Sequence, residues 1–400
     1  MTRIHRHGTY QADQRSNHPH DGITTLTVTD FDALRRHFPA WDRLAEDSPQ
    51  MMPNLLPVWV DAFLQHCIRS TDRWFCSFAY AGERLVGVFP VITGPHRILG
   101  YSHPVLRTPY DVDAFSGDIP LAADQAAPAL RALLAQTRAA VPRHVGIEMR
   151  HVRESSPLVA ALRQDLDGYL LLPGPVSKGS VIRFAQAPGG RAVEVSRNLR
   201  HNLRRARKRL ESRGAVAVEI RDGAAATPDF LPEFLAVESS GWKGRERTAI
   251  AAKPDVRAFY TALVENLCAQ GRLEWHILRV GGRTVAAGMG IRCGTSLMLP
   301  KIGYDEDYAD GDPGNVLTEA VIRSAAARPG ISEINHVSDQ TWHRLWHMDQ
   351  DDYVDATLIR RNALSILFQL LPKRLKEAFR DVRPPKPAAA PPATPPPPSA

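Results

Sequence analysis

The sequence predicts an α/β protein organised as two related halves, each a mixed sheet flanked by helices. Three observations carry this reading. Helical periodicity and strand-like alternation take turns along the chain, the pattern of helices packed on a sheet whose strands run in both directions. The chain has 400 residues, more than one ordinary domain. The element order of the second part is foreshadowed, more weakly, in the first. Hydrophobic residues make up 44% and charged residues 23%, so the chain can bury a sizeable core without staples.

Residues 1–22 carry no periodicity and read as a disordered arm. The N-terminal half is expected over residues 23–172. Asp30 is placed as the N-cap of a helix running to Ala45, with Phe31, Leu34, Phe38 and Trp41 near helical spacing. A second helix is predicted over Val58–Ile68. A strand pair follows, Trp74–Tyr80 and Leu85–Thr93, around the turn Ala81–Gly82–Glu83. A long Ala/Leu helix over Ala122–Ala140 and a strand over Val145–Arg150 complete this half.

The C-terminal half is expected over residues 173–382. It opens on a strongly basic helix, Ser196–Arg213, followed by helices over Phe230–Glu238 and Val256–Gln270. Strands are predicted at Leu273–Val280, Thr284–Ile291 and Ser296–Tyr304, the first two joined by the Gly281–Gly282 turn. A loop rich in Asp and Gly leads to a helix over Asn315–Arg328 and a strand over Glu333–Val337. A short helix at Thr341–His347, a strand at Tyr353–Ile359 and a terminal helix at Ala363–Arg380 finish it. Residues 383–400 are rich in Pro and Ala, cannot form a core, and read as a disordered tail.

The cysteines Cys67, Cys76, Cys268 and Cys293 show no CxxC spacing, so neither a zinc knuckle nor a disulfide framework is indicated. No stretch approaches the roughly 18 apolar residues of a membrane span, and the polar N-terminus is no secretory signal. These features lead us to expect a cytoplasmic protein. A net charge of +7 and a pI near 9.4 suit anionic ligands such as coenzyme A phosphates, RNA or a membrane surface, without choosing among them.

The most informative stretch runs from Thr295 to Ala327. A strand ends at Tyr304 and a helix starts after Pro313–Gly314, where proline suits the first turn and glycine lets backbone approach a ligand. The free amides of that turn, with the helix dipole, make an anion site fit for a pyrophosphate. A plain strand–loop–helix connection accounts for the same residues.

Three further runs accompany it: Glu238-Ser-Ser-Gly-Trp-Lys-Gly-Arg with Thr248–Ile250; Gly282–Ala287; and Lys301-Ile-Gly-Tyr-Asp before Pro313–Gly314. In order and spacing these resemble the CelD/BcsL-like acetyltransferases of the GNAT superfamily, similar in fold to Fem-type aminoacyltransferases. The resemblance covers Ser196 to about Leu370, with a weaker match over Trp41–Asp118. It implies tandem GNAT-like domains and an acyl-CoA donor, acetyl-CoA or longer. It also implies that Lys301, Ile302, Gly303, Asp312, Pro313, Gly314 and Asn315 hold coenzyme A.

Acyl transfer to an amine needs a proton acceptor and donors for a developing oxyanion. His336, on the strand after the pyrophosphate helix, is the candidate base, and Asp339 a group to orient the amine. A histidine settled in the core would look the same. Glu238, Trp242, Lys243, Arg245 and His343 are assigned to the acceptor, the aromatic–cation run as a clamp for a phosphate or carboxylate. Asn335, Ser338 and His343 stand where relatives commonly carry Asp, Gly and Lys, which bears on the catalytic assignment. No cysteine is placed as a nucleophile, so direct attack on the thioester is expected. The basic helix, with Leu199, Leu203 and Leu210 as its apolar stripe, reads as a solvated cationic face. It leaves open an aminoacyl-tRNA donor, or a protein that binds nucleic acid or a membrane surface without catalysis.

Overall fold

The computed structural model describes residues 16–20, 22–98, 101–111, 115–184, 195–241, 245–246, 248–362 and 365–366. The helix expected at Ala363–Arg380, the Pro/Ala tail, Trp242 and Lys243 therefore lie outside the described residues, apart from Ser365 and Ile366.

The strands β1 (Ser16–His20), β2 (Ile23–Val28), β3 (Arg73–Ala81), β4 (Arg84–Ile98), β5 (Tyr101–Arg107), β6 (Gly146–Arg153), β7 (Tyr169–Arg183), β8 (Val216–Arg221), β9 (Leu273–Val280), β10 (Arg283–Cys293), β11 (Ser296–Tyr304), β12 (Glu333–Asn335) and β13 (Asp349–Arg360) form one sheet. Its order is β1-β2-β3-β4-β5-β6-β13-β7-β12-β11-β10-β9-β8. β5 and β6 pair in parallel, as do β11 and β12; the other neighbours are antiparallel. A parallel pair needs a crossover. Helix α4 (Ala126–Ala140) supplies it between β5 and β6. Helix α9 (Pro313–Ala326) supplies it between β11 and β12.

Strands β2–β6 thus repeat the order of β8–β12, and the two halves are visible as a duplication. Their last strands are exchanged. β7 follows β6 in the chain but sits against β12, and β13 follows β12 but sits against β6. β7 and β13 pair with each other along most of their length. The boundary expected at residues 172/173 falls inside β7. The expected N-terminal arm contributes strand β1.

The remaining helices are α1 (Phe31–Arg36), α2 (Phe38–Asp47), α3 (Pro57–His66), α5 (Pro157–Leu162), α6 (Arg197–Glu211), α7 (Leu231–Ser239) and α8 (Pro254–Ala269). The single helix expected over Asp30–Ala45 is split at His37, because Pro39 can occupy only the first turn of a new helix. Asp30 caps α1 as expected, accepting from the Ala33 N–H at 2.8 Å. α6 forms because Leu199, Leu203, Ala206 and Leu210 make one buried stripe and Ser196 caps its start.

One apolar cluster runs through both halves. Trp59 and Phe63 of α3 meet the ring of Phe259 on α8, with centroids 5.6 and 6.3 Å apart. Each such buried ring contributes about 1.5–3 kcal/mol. A second cluster lies under α6 and α9, on the opposite face of the C-terminal half. At the centre Arg153 of β6 forms a buried ion pair with Glu333 of β12 at 3.0 Å and also reaches Asp351 of β13. No described helix is long and apolar enough to cross a membrane.

Candidate active site

Pairing between β11 and β12 is short. It covers Ser296↔Glu333, Leu297↔Ile334 and Met298↔Asn335 and then stops, while β11 continues to Tyr304. The strands part at that point. Residues 289–291 of β10 face residues 298–301 of β11, one residue more, so β11 bulges at Leu299–Pro300. A bulge tolerates proline, which lacks the N–H a regular ladder needs. Past Met298 the outer edge of β11 has no strand neighbour.

The gap opens a cavity of about 720 Å³ that crosses the sheet. Cross-strand register assigns its walls to faces. His276, Gly288 and Ile302 line up across β9, β10 and β11 on the α9 face, with Leu317, Thr318 and Val321 of α9 above them. Met289 and Lys301 line up on the other face, which the N-terminal half roofs with Tyr110, Asp111, Phe115 and His151.

In the N-terminal half, among the described residues, the matching edge of β6 is filled. There the chain leaves the sheet after Thr108 and returns at Gly117, whose N–H donates to the Arg150 carbonyl at 2.8 Å. A Cβ at Gly117 would meet the Thr108 Oγ1 at 2.6 Å. One half closed its divergence and sends the intervening loop over the other half's cavity.

Around the divergence the backbone is under strain. Val337, a β-branched residue, has φ of 59°, which side chains of that kind rarely adopt. Its N–H is held by Asn335 Oδ1 at 2.7 Å, and its carbonyl accepts from His151 Nε2 at 2.9 Å. His151 stacks flat on Tyr353, 4.2 Å between centroids, and burial lowers its pKa. Asn335, one of the positions that departs from the family pattern, also donates to the Tyr353 hydroxyl at 3.3 Å. It fixes the turn from inside the protein.

His336 lines the cavity with His343 and Trp342; the two imidazole centroids are 4.5 Å apart. Burial, then the neighbouring His343, pushes the His336 pKa down to about 3, and its Nε2 has no hydrogen-bond partner. The ring is thus held neutral, the form that can accept a proton, although burial makes it a weak base. His343 is held by burial to about 4. Its Nδ1 accepts from the Gln340 N–H at 3.1 Å, which puts the ring proton on Nε2. Ser338 also lines the cavity. Asp339 does not: it is exposed, accepts from Ser180 and Gln350 at 3.2 Å, and those bonds, Gln350 first, lower its pKa.

Of the residues assigned to coenzyme A, Ile302 faces the cavity below α9. Lys301 faces the other side, its ammonium 5.5 Å from the Phe115 ring centre and 5.6 Å from that of Tyr260. Its register, opposite Met289, decides this facing. Gly303 packs under α7, where a Cβ would lie 2.7 Å from Glu238 Cα. Its missing side chain serves helix packing. Pro313 is buried in the first turn of α9, and Gly314 has room beside Tyr304. Asp312 caps α9 with φ of 43° and accepts from Asn315 Nδ2; Asn315 Oδ1 accepts from Trp346 Nε1 at 3.0 Å.

Glu238 is buried, accepts the Ile250 N–H at 3.0 Å, and does not line the cavity. Arg245 is exposed and forks onto Glu306 at 2.6 and 3.1 Å. Both anchor the loop after α7 instead of facing an acceptor. Sequence reasoning missed Tyr110, Asp111, Phe115, His151, His276 and Gly288. The signal for His276 was present: a histidine alternates with Trp275 and Ile277 on a strand opposite the Gly288–Gly290 pair.

The mixed sheet thus has one open parallel divergence, crossed by a cavity and flanked by a helix start. Residues 197–340 match the family model of the acetyltransferase (GNAT) domain, which supports an acyltransferase. No curated protein matches the chain. Among solved structures it is similar to FemX, at 10% identity over 82% of this chain and 96% of that one, with a TM-score of 0.53. It is also similar to the C-terminal DUF2156 domain of a putative lysylphosphatidylglycerol synthetase from Agrobacterium fabrum. That match has 11% identity over 86% of this chain and 97% of the other, with a TM-score of 0.50. At such identities the likeness is one of fold.

Proposed function

We propose that the C-terminal half moves an acyl group from acetyl-CoA or a longer acyl-CoA to the amine of a small-molecule, saccharide or lipid-precursor acceptor. The observation that carries this reading is the cavity crossing the sheet where β11 leaves β12. The donor enters on the α9 face and the acceptor on the face roofed by the N-terminal half. The free edge of β11 past Met298 suits an extended amide chain such as pantetheine. The sequence resemblance to CelD/BcsL-like enzymes supports a saccharide or lipid-precursor acceptor.

The fit to coenzyme A is better for this arm than for the phosphates. Asp305, Glu306, Asp307, Asp310 and Asp312 crowd the start of α9, with Arg283, Arg245 and Arg213 paired among them. Phosphates would draw instead on α6, which packs beside this loop through Arg209 and Arg213.

On the donor face the His343 ring is fixed between the Gln340 N–H and the Ser338 backbone. On the acceptor face Asp111 and Lys301 orient the amine and its substituents. None of the cysteines lines the cavity, and burial pushes the Cys293 thiol up to about 12. This supports direct attack without an acyl-enzyme.

The free charge of α6 favours a second reading, an aminoacyl-tRNA donor of the Fem type. Among the described residues Arg197, Arg204, Arg205, Arg207 and Lys208 have no acidic partner. The test is thermal stability of the full chain with coenzyme A, deacylated tRNA or anionic vesicles. We expect coenzyme A alone to raise Tm, by up to about 2.7 kcal/mol of stabilisation at a hundredfold excess over Kd. Stabilisation by tRNA with none by coenzyme A overturns the first reading in favour of the second. Vesicle binding with neither makes the chain a surface-binding protein.

A further inference from the structure

We infer that the donor's acyl group is longer than acetyl and carries a hydroxyl, which is read by His276 in a recess beneath α9. This rests on the acyl-CoA reading and deepens it. The cavity does not stop at the divergence of β11 and β12. On the α9 face it runs sideways under Leu317, Thr318 and Val321, over Ile302 and Gly288, to His276. Its sides are apolar apart from Thr318, whose hydroxyl already donates to the Gly314 carbonyl at 2.8 Å.

Two glycines create the space. At Gly290 a Cβ would come within 2.8 Å of His276 Cε1, so only glycine leaves room for the imidazole to lie across β10. At Gly288 a Cβ would sit 3.6 Å from His276 Nδ1, which fits but occupies floor that is now open. The end of the ring at Nδ1 therefore borders the cavity.

The other end of the ring is committed. Nε2 lies 3.4 Å from Glu274 Oε2, and Glu274 is gripped by Arg328 at 2.6 and 3.0 Å. Glu274 is 1% exposed and His276 2% exposed. Burial alone would raise the Glu274 pKa, but the bonds to His276 and Arg328 hold it at about 2. With an ionised carboxylate at Nε2, that nitrogen carries a proton. Nδ1, on the cavity side of the ring, is left as the polar atom for a ligand.

A polar atom that faces an otherwise apolar recess gives a ligand one place to pair. A ligand hydroxyl can donate to this nitrogen. The imidazole reaches over β10, one strand from β11. That spacing is about 5 Å and matches a chain of roughly four carbons measured from a thioester held beside β11.

The test compares Kd values of coenzyme A, acetyl-CoA, butyryl-CoA and 3-hydroxybutyryl-CoA by calorimetry. The proteins are the wild type, Gly288→Ala, Gly288→Val and His276→Phe. In the wild type we expect 3-hydroxybutyryl-CoA to bind at least tenfold more tightly than acetyl-CoA or butyryl-CoA. His276→Phe abolishes the preference for the hydroxyl. Gly288→Ala weakens binding of both four-carbon thioesters without altering coenzyme A or acetyl-CoA. Gly288→Val extends that loss, and the alanine variant keeps the test decisive if valine prevents folding. Binding of coenzyme A with no discrimination among acyl groups refutes the recess and leaves the donor reading intact. No binding of coenzyme A refutes both.

Discussion

Arg153 carries the most direct energetic prediction. Its side chain is 6% exposed and that of Glu333 7%. The guanidinium donates to both Glu333 oxygens at 3.2 and 3.0 Å, to the Gln50 carbonyl at 3.2 Å, and to Asp351 at 2.9 Å through Nε. Replacing Arg153 by Met leaves Glu333 buried with Ser296 Oγ, at 2.9 Å, as its remaining side-chain partner. Breaking a buried pair in this way costs about 3–5 kcal/mol, mostly for the stranded charge. Asp351 suffers less, because Arg183 still holds it at 2.6 Å. For a chain of this size the loss lowers Tm by roughly 4–6 °C. The double variant Arg153→Met/Glu333→Gln removes the stranded charge and recovers about half or more of the loss. Urea denaturation of the wild type, the two single variants and the double variant gives the coupling energy. A single-variant loss under about 1 kcal/mol, or a double variant as unstable as the sum of the singles, would refute the reasoning.

Two further predictions rest on single positions. Gly303→Val drives a side chain into Glu238 Cα, 2.7 Å away, and lowers stability by about 1–3 kcal/mol. Gly330→Val, in open space, is the denaturation control and changes little. Burial pushes the Asp118 carboxyl from 3.8 up to about 7 against hydrogen bonds from Ile119, Ser156 and Gln50. The folded state thus keeps a proton that the unfolded chain releases. The group's stabilisation is full below about pH 4 and is lost as pH rises through about 7. Asp118→Asn flattens this slope, which urea midpoints at about pH 5 and pH 8 would reveal; an unchanged slope counts against the assignment.

Much of the C-terminal half was legible because its elements announce themselves locally. The Gly281–Gly282 turn fixes β9 and β10, and the apolar stripe of Leu199, Leu203 and Leu210 fixes α6. The strands β2, β5, β7 and β8 were not predicted. β7 carries Pro173, Gly174, Pro175 and Gly179, where the boundary between the halves was expected. What makes it a strand is pairing with β13, more than 160 residues away, and no local pattern encodes that. The candidate site was legible as a region and less so as a set of side chains. The facing of Lys301 depends on the bulge at Leu299–Pro300, which shifts alternation by one residue and moves the ammonium through the sheet. The neutral state of His336 depends on burial by Trp342 and His343, a property of packing rather than sequence position. Tyr110, Asp111 and Phe115 reach the site from the other half of the chain, beyond any motif's range.

The exchanged strands β7 and β13 decide what this protein can be cut into. A fragment taken at the limits of the GNAT match, residues 197–340, would lack both. Its β12 would end the sheet as a bare edge, with Glu333 stripped of Arg153. Moving the cut to the start of β7 restores that edge but removes β6, the source of Arg153. Neither half is therefore a module that recombination could move alone. Once the last strands were traded, the duplicated halves became obliged to evolve together, and the closed half was kept as part of the open one's active site.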